Sequence, residues 1–179
     1  MSDDTTPLAD RLAGAQIDTL KEVVRNAESF LGGQLTSGLA SNQRAMTLTS
    51  VLAAATIVLG GAAASLLVGA TPNPPLGLIC AVVASGFLAA MALAISAAKP
   101  ADWYLSGNTP AGWVEDVEAS KPLERSLAEQ AAWYADMISD NHSTMEAADR
   151  KIIAALRLAW ASLVAGALMC VLFYGLTVN

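Results

Sequence analysis

Few residues in this chain could do chemistry. It has one histidine, His142, and two cysteines, Cys80 and Cys170. A histidine can act as acid, base or metal ligand, but each role needs a partner group at a fixed spacing. His142 stands alone near Asp140 and Glu146 and reads as an exposed helical residue. The cysteines form no C-x-x-C pair, and no cluster of ligand-type residues resembles a zinc site. The paired acids Asp3-Asp4 and Glu115-Asp116 lie in solvated stretches, where carboxylates serve solubility. Phosphate-binding, dinucleotide-binding, serine-hydrolase and metalloprotease motifs are all missing. The expectation is therefore a non-enzyme with no catalytic residue, metal or cofactor. A formal charge of −6 gives a nucleic-acid partner no basic surface.

The elements that carry these residues are unusually apolar. Of 179 residues, 54% are hydrophobic and 15% charged, too apolar for a soluble domain of this size. Ala45 to Gly69 and Leu76 to Ala98 contain no charge, and Ile152 to Leu176 contains only Arg157. A helix rises about 1.5 Å per residue, so about 20 apolar residues cross a hydrocarbon core of ~30 Å. The spacing predicts an all-α integral membrane protein with three transmembrane helices. Its parts are an N-terminal cytoplasmic helix (1–44), a membrane hairpin (45–98, spans 45–69 and 76–98), a cytoplasmic loop and helix (99–151) and a third span (152–176). Residues Met1 to Pro7 lack the basic start and apolar stretch of a cleaved signal peptide, so the first span is expected to direct insertion.

Charge sets the expected orientation. Every basic residue lies before the first span or between Lys99 and Arg157. The positive-inside rule then puts the N-terminus and 99–151 in the cytoplasm, and the Thr71–Pro75 turn and C-terminus outside. The expected location is a bacterial inner membrane, with the lipid bilayer as first partner. Arg44, Lys99, Arg150 and Lys151 are placed at the inner membrane edge, with Arg157 snorkelling back to it. Trp103, Tyr104 and Trp160 fit an inner aromatic belt, and Phe173 and Tyr174 an outer one.

Helices in lipid associate through close backbone contact. Gly60, Gly61, Ala64 and Ser65 form such a stripe on the first span. Ala81, Ser85 and Ala89 form one on the second, and Ala161, Ala165 and Gly166 on the third. These predict tight contacts within one chain or between copies. Cys80 and Cys170 both fall near the outer end of their spans, as free thiols or a disulfide.

The cytoplasmic part reads as helical. Leu20, Val24, Ala27, Leu31, Leu35 and Gly38 follow an a/d-like spacing within Leu8–Gln43, with Gly32-Gly33 as a candidate bend or break. Lys99-Pro100 ends the second span, and Ala101–Ser120 follows as a loop. Its Trp103, Tyr104, Asn108 and Trp113 read either as membrane-face anchors or as a sensing or docking loop. Pro122 fits the first position of a new helix. Leu127, Gln130, Tyr134, Met137, Asn141, Thr144 and Ala148 keep a heptad-like line, which predicts one helix of about 50 residues, roughly 80 Å long. Gln130 and Asn141 on that line read as polar inserts that set register. The helix should pair with the N-terminal helix, with another chain, or with both. Asn141-His142-Ser143 matches a glycosylation acceptor, which a cytoplasmic location makes silent.

This order of parts resembles the small transmembrane effectors of bacterial anti-phage signalling, in particular the Pycsar effector family. The resemblance is carried by the polar stretch Asn42-Gln43-Arg44-Ala45, the 45–98 hairpin and the 122–176 helix. It implies cytoplasmic helices that respond to a cyclic nucleotide, and spans that disrupt the inner membrane. No nucleotide-binding residues map onto this chain, and its loop is acidic, which disfavours a phosphate. The expected function is an oligomeric inner-membrane effector or signalling protein of antiviral defence. Ranked after it are an accessory or scaffold subunit docked on a protein partner, and then a channel or transporter subunit.

Overall fold

A computed structural model describes residues 6–177, without the side chains of Tyr174, Leu176 and Thr177. Asp3 and Asp4, and the side chain of Tyr174, lie outside what is described. Among the described residues all regular structure is helical: α1 (Leu8–Leu12), α2 (Ile17–Val68), α3 (Pro74–Ala97), α4 (Val114–Glu118) behind a 3₁₀ turn (Pro110–Trp113), and α5 (Leu123–Thr177). Three of these helices are long and apolar enough to cross a membrane.

The chain divides into two compact units. One comprises residues 1–39 and 101–145, the other 40–100 and 146–179.

In the first unit the a/d-like lines meet. Leu20 packs with Leu127 and Ala128, and Leu31 with Tyr134 and Met137. The 20–127 and 31–137 pairings run the same way, so the two helical segments are parallel. Leu20 and Leu31 are essentially fully buried, each contributing about 1.5–3 kcal/mol by transfer from water. The α5 segment thus packs on the N-terminal segment of its own chain. Helix α2 runs through Gly32-Gly33 without a break. The buried neighbours Leu31 and Gln34 hold that turn from the packed side, and tertiary packing outweighs a glycine cost of about 1 kcal/mol per residue. The expected break falls earlier instead, between α1 and α2, where Ala15 N–H closes a turn on the Leu12 carbonyl. The 101–120 segment, expected to be irregular, contains the 3₁₀ turn and α4.

In the second unit Leu52, Val83, Phe87, Ala90 and Ala159 form the core. The apolar surface far exceeds what this core buries. In the most apolar stretches of α2, α3 and α5 only 11%, 28% and 11% of residues are buried. Ile57, Val58, Val68 and Val171 are each at least 70% exposed. Water would oppose such a surface, and lipid suits it. Hydroxyls on these stretches are satisfied within their own helix: Thr49 donates to the Ala45 carbonyl, Thr56 to Leu52, Ser85 to Ala81 and Ser162 to Leu158, at 2.7–2.9 Å. Hydrocarbon offers no other acceptor. Helix α3 starts on Pro74 and Pro75 behind an Asn73 cap, whose Oδ1 accepts from Leu76 N–H. Proline at the first turn loses no helical hydrogen bond.

Candidate functional site

The 101–120 segment carries the four residues singled out as a sensing or docking loop. One face of α5, set by Gln130, Tyr134 and Asn141, fastens it. The buried Asn141 brackets the Tyr104 backbone: its Oδ1 accepts from Tyr104 N–H and its Nδ2 donates to Tyr104 C=O, both at 3.0 Å. The Tyr134 hydroxyl accepts from Gly107 N–H and donates to the Glu28 carboxylate, both at 3.0 Å. Burial, and then the Glu28 carboxylate, push the Tyr134 hydroxyl above its ordinary pKa. Asn108 Nδ2 donates to Gln130 Oε1 at 3.4 Å. The polar positions of the heptad-like line therefore hold a loop of their own chain. Gly107, at φ 98°, supplies a backbone turn that side chains resist.

The aromatic residues of the segment face inward to different degrees. The Trp103 indole lies over Gly38, whose added Cβ would come within 2.5 Å of the ring. Gly38 is thus a slot for the Trp103 ring. Trp113 packs beside Leu20, Leu127 and Ala128. Tyr104 keeps its ring half exposed while its backbone is clamped. Trp160 is exposed at 66%.

Ion pairs close the far end of the segment. Lys121 bridges Asp116 and Glu129, and Arg125 bridges Asp10 and Glu129, which ties α1 and α4 to the start of α5. Hydrogen bonds from Lys121 and then Arg125 hold the Glu129 carboxyl below its ordinary pKa, and bonds from Ser126 and then Lys121 do the same for Asp116. Helix α4 ends in a Schellman turn, with Ser120 N–H on the Val117 carbonyl and Lys121 N–H on Asp116. The left-handed position, usually glycine, is Ser120 at φ 51°.

The residues expected at the membrane edge, Arg44, Lys99, Arg150, Lys151 and Arg157, are all exposed. Lys151 Nζ donates to the Ser96 carbonyl at 3.3 Å in the last turn of α3, where the helix dipole favours a cation. Arg150 pairs with Glu146. Asp149, beside it, accepts from the Ser41 hydroxyl.

The small-residue stripes are only partly used. Gly166 is buried, and an added Cβ would stand 2.5 Å from Val83 Cγ2. Gly60 and Gly61 meet nothing within 4 Å, and Ala64, Ser85 and Ala165 are exposed. The contacts fall instead on Ala63, Gly77, Gly86, Ala90 and Ala94. An added Cβ at Gly86 would overlap the Ser162 hydroxyl, and one at Gly77 would meet Leu67. Four-residue spacing identifies small faces, but only the neighbouring helix selects among them. The thiols of Cys80 and Cys170 are free and line one apolar crevice of about 290 Å³ with Leu76, Val83 and Gly166.

Sequence reasoning put Gly38 on the a/d-like line without its role as a slot for Trp103, and missed Gly86 and Gln34, although a glycine inside a helical run was a signal for Gly86. Among the described residues no three His, Cys, Asp or Glu side chains come together as a metal site. Set against protein-family models, curated proteins and solved structures, the chain matches none.

Proposed function

We propose that this chain is a self-associating, multi-pass effector or signalling protein of a bacterial inner membrane. Residues 1–39 and 101–145 receive a signal in the cytoplasm, and the spans repack to change membrane integrity. The observation that carries this reading is that α2 and α5 each supply residues to both units. Both helices run without a break through the boundary, which gives a signal received by one unit a helical route to the spans. The clamped 101–120 segment supports the reading as the element to be released. The uncovered Gly60-Gly61-Ala64 stripe is a surface for a second copy, since small residues let helices approach closely in lipid. N-in orientation rests on the basic residues at one set of helix ends.

Controlled expression in bacteria loaded with a membrane-potential dye, with and without added cyclic nucleotides, tests it. A fall in potential is expected, and Gly61→Leu should weaken it by blocking association. An unchanged potential under every condition overturns the reading. Stoichiometric foreign subunits after mild extraction would favour an accessory subunit instead.

A further inference from the structure

Gly86 on α3 faces Ser162 on α5: an added Cβ at Gly86 would stand 2.8 Å from the Ser162 Cβ. Three residues back along α3 and four forward along α5, Val83 fills the space over Gly166. The same step taken once more brings Cys80 level with Cys170. Steps of three and four keep to one face of a helix, so the two thiols continue the stripe on which α3 and α5 already meet. Independently, both cysteines line one crevice of about 290 Å³ within the second unit. We propose that Cys80 and Cys170 are a reversible redox pair, whose disulfide staples α3 near its start to α5 near its end.

The surroundings select this chemistry for the two thiols. Both are free and partly buried. The walls between them are Leu59, Leu76, Ile79, Val83 and Leu163, and the crevice holds no charged or hydrogen-bonding side chain besides the thiols. A metal ion held between thiolates would bring charge to a place where nothing solvates it. A disulfide is neutral and suits such walls. Its Cβ atoms must stand about 3.5–4.5 Å apart. At Gly86 and Ser162 the corresponding separation is already shorter, and Gly166 and Ala167 keep the α5 surface low beside Cys170.

Closure removes two protons and two electrons from the pair. A neutral, lipid-permeant two-electron acceptor takes them. One sulfur adds to the acceptor, the other displaces it as the S–S bond forms, and both thiol protons leave on the reduced acceptor. A dithiol reverses the step by exchange. Because the bond would join two spans, the repacking proposed above would require the reduced form. That consequence rests on the proposed function; the bond itself does not, and its readout is covalent, so either can fail while the other stands.

The full chain in lipid nanodiscs is treated with diamide, an uncharged oxidant whose N=N bond is reduced to a hydrazine carrying both protons. Intact mass should fall by two hydrogens per chain, proteolysis should release the Cys80 and Cys170 peptides linked, and dithiothreitol should return both thiols. The oxidised chain should melt several degrees higher, and reduction should restore the lower value. Register is tested by moving one thiol. Val82 is 55% exposed, and two residues turn a helix by about 200°. In Cys80→Ser with Val82→Cys, linkage should therefore drop at least about five-fold, since the sulfurs no longer face each other. Two free thiols after diamide, linkage between chains in place of within one, equal linkage from position 82, or an unchanged melting temperature overturns the proposal.

Discussion

The two units of this chain solve the same problem, holding helix against helix, with opposite means. Residues 1–39 and 101–145 carry fourteen acidic and five basic side chains, a net −9. Residues 40–100 and 146–179 carry two acidic and five basic, a net +3. The first unit is held by apolar pairs reinforced with polar clamps and ion pairs, and the second by small residues that let backbones approach. In water, a clamp such as Asn141 on Tyr104 competes with solvent and contributes modestly, but it specifies one arrangement. In lipid the hydrophobic drive between helices is gone, and shape at Gly86 and Gly166 decides the fit. Local packing lost on substitution should therefore fall first in the unit that carries the residue.

The largest effect is expected from Gly166→Leu. It drives a side chain into Val83, at a cost of about 1–3 kcal/mol or more. Thermal unfolding in detergent should show the loss, with hydrogen exchange of 101–120 unaltered. Exchange rising equally in both units would break the comparison. Asn141→Leu is next: it leaves both backbone groups of Tyr104 without their partner, at about 1–3 kcal/mol. Amide exchange should rise at 102–108 and not in α3. Gly38→Ala should displace the Trp103 ring, costing about 1–2 kcal/mol by overpacking. A red-shifted indole emission, absent in a Trp103→Phe background, would report it.

Acid offers a milder lever. The carboxyls of Asp116 and Glu129 have lowered pKa values in the folded chain. Their contribution is present above the ordinary carboxylate pKa and is lost as pH falls through the lowered folded value. Acidification below about pH 4 should loosen 110–118 and the start of α5 first, measured by pulsed exchange. Simultaneous loosening of α3 would contradict a role confined to the first unit. The smallest effect should come from Ser120→Gly, which relieves a left-handed residue and should gain up to about 1 kcal/mol. A lowered melting temperature would show that Ser120 does more than fill the turn.

Much of this was legible in the chain. The a/d-like line from Leu20 to Gly38 faces the core, and the line from Leu127 to Asn141 faces it in return, because a 3.6-residue repeat leaves a single stripe to bury. The long α5 was announced by the missing prolines between Pro122 and its end. The polar members of the second line were harder to read: an Asn on an apolar stripe can pair with its own kind or grip a backbone, and spacing does not distinguish these. The same holds for the stripes: spacing does not say which small residues meet a helix of the same chain, and there Gly86 and Gly166 do while Gly60 and Gly61 stay uncovered.

By itself the sequence determined the helical class, the reach of α3 and α5 and which stretches are apolar enough to cross a membrane, because these depend on local periodicity and on apolar content summed along the chain. Only the tertiary structure decided which small residues touch, that Trp103 sits over Gly38, and that Gln34 is left with a buried oxygen lacking a donor. Those are facts about pairs of residues up to a hundred positions apart, and no local pattern encodes which surfaces finally meet.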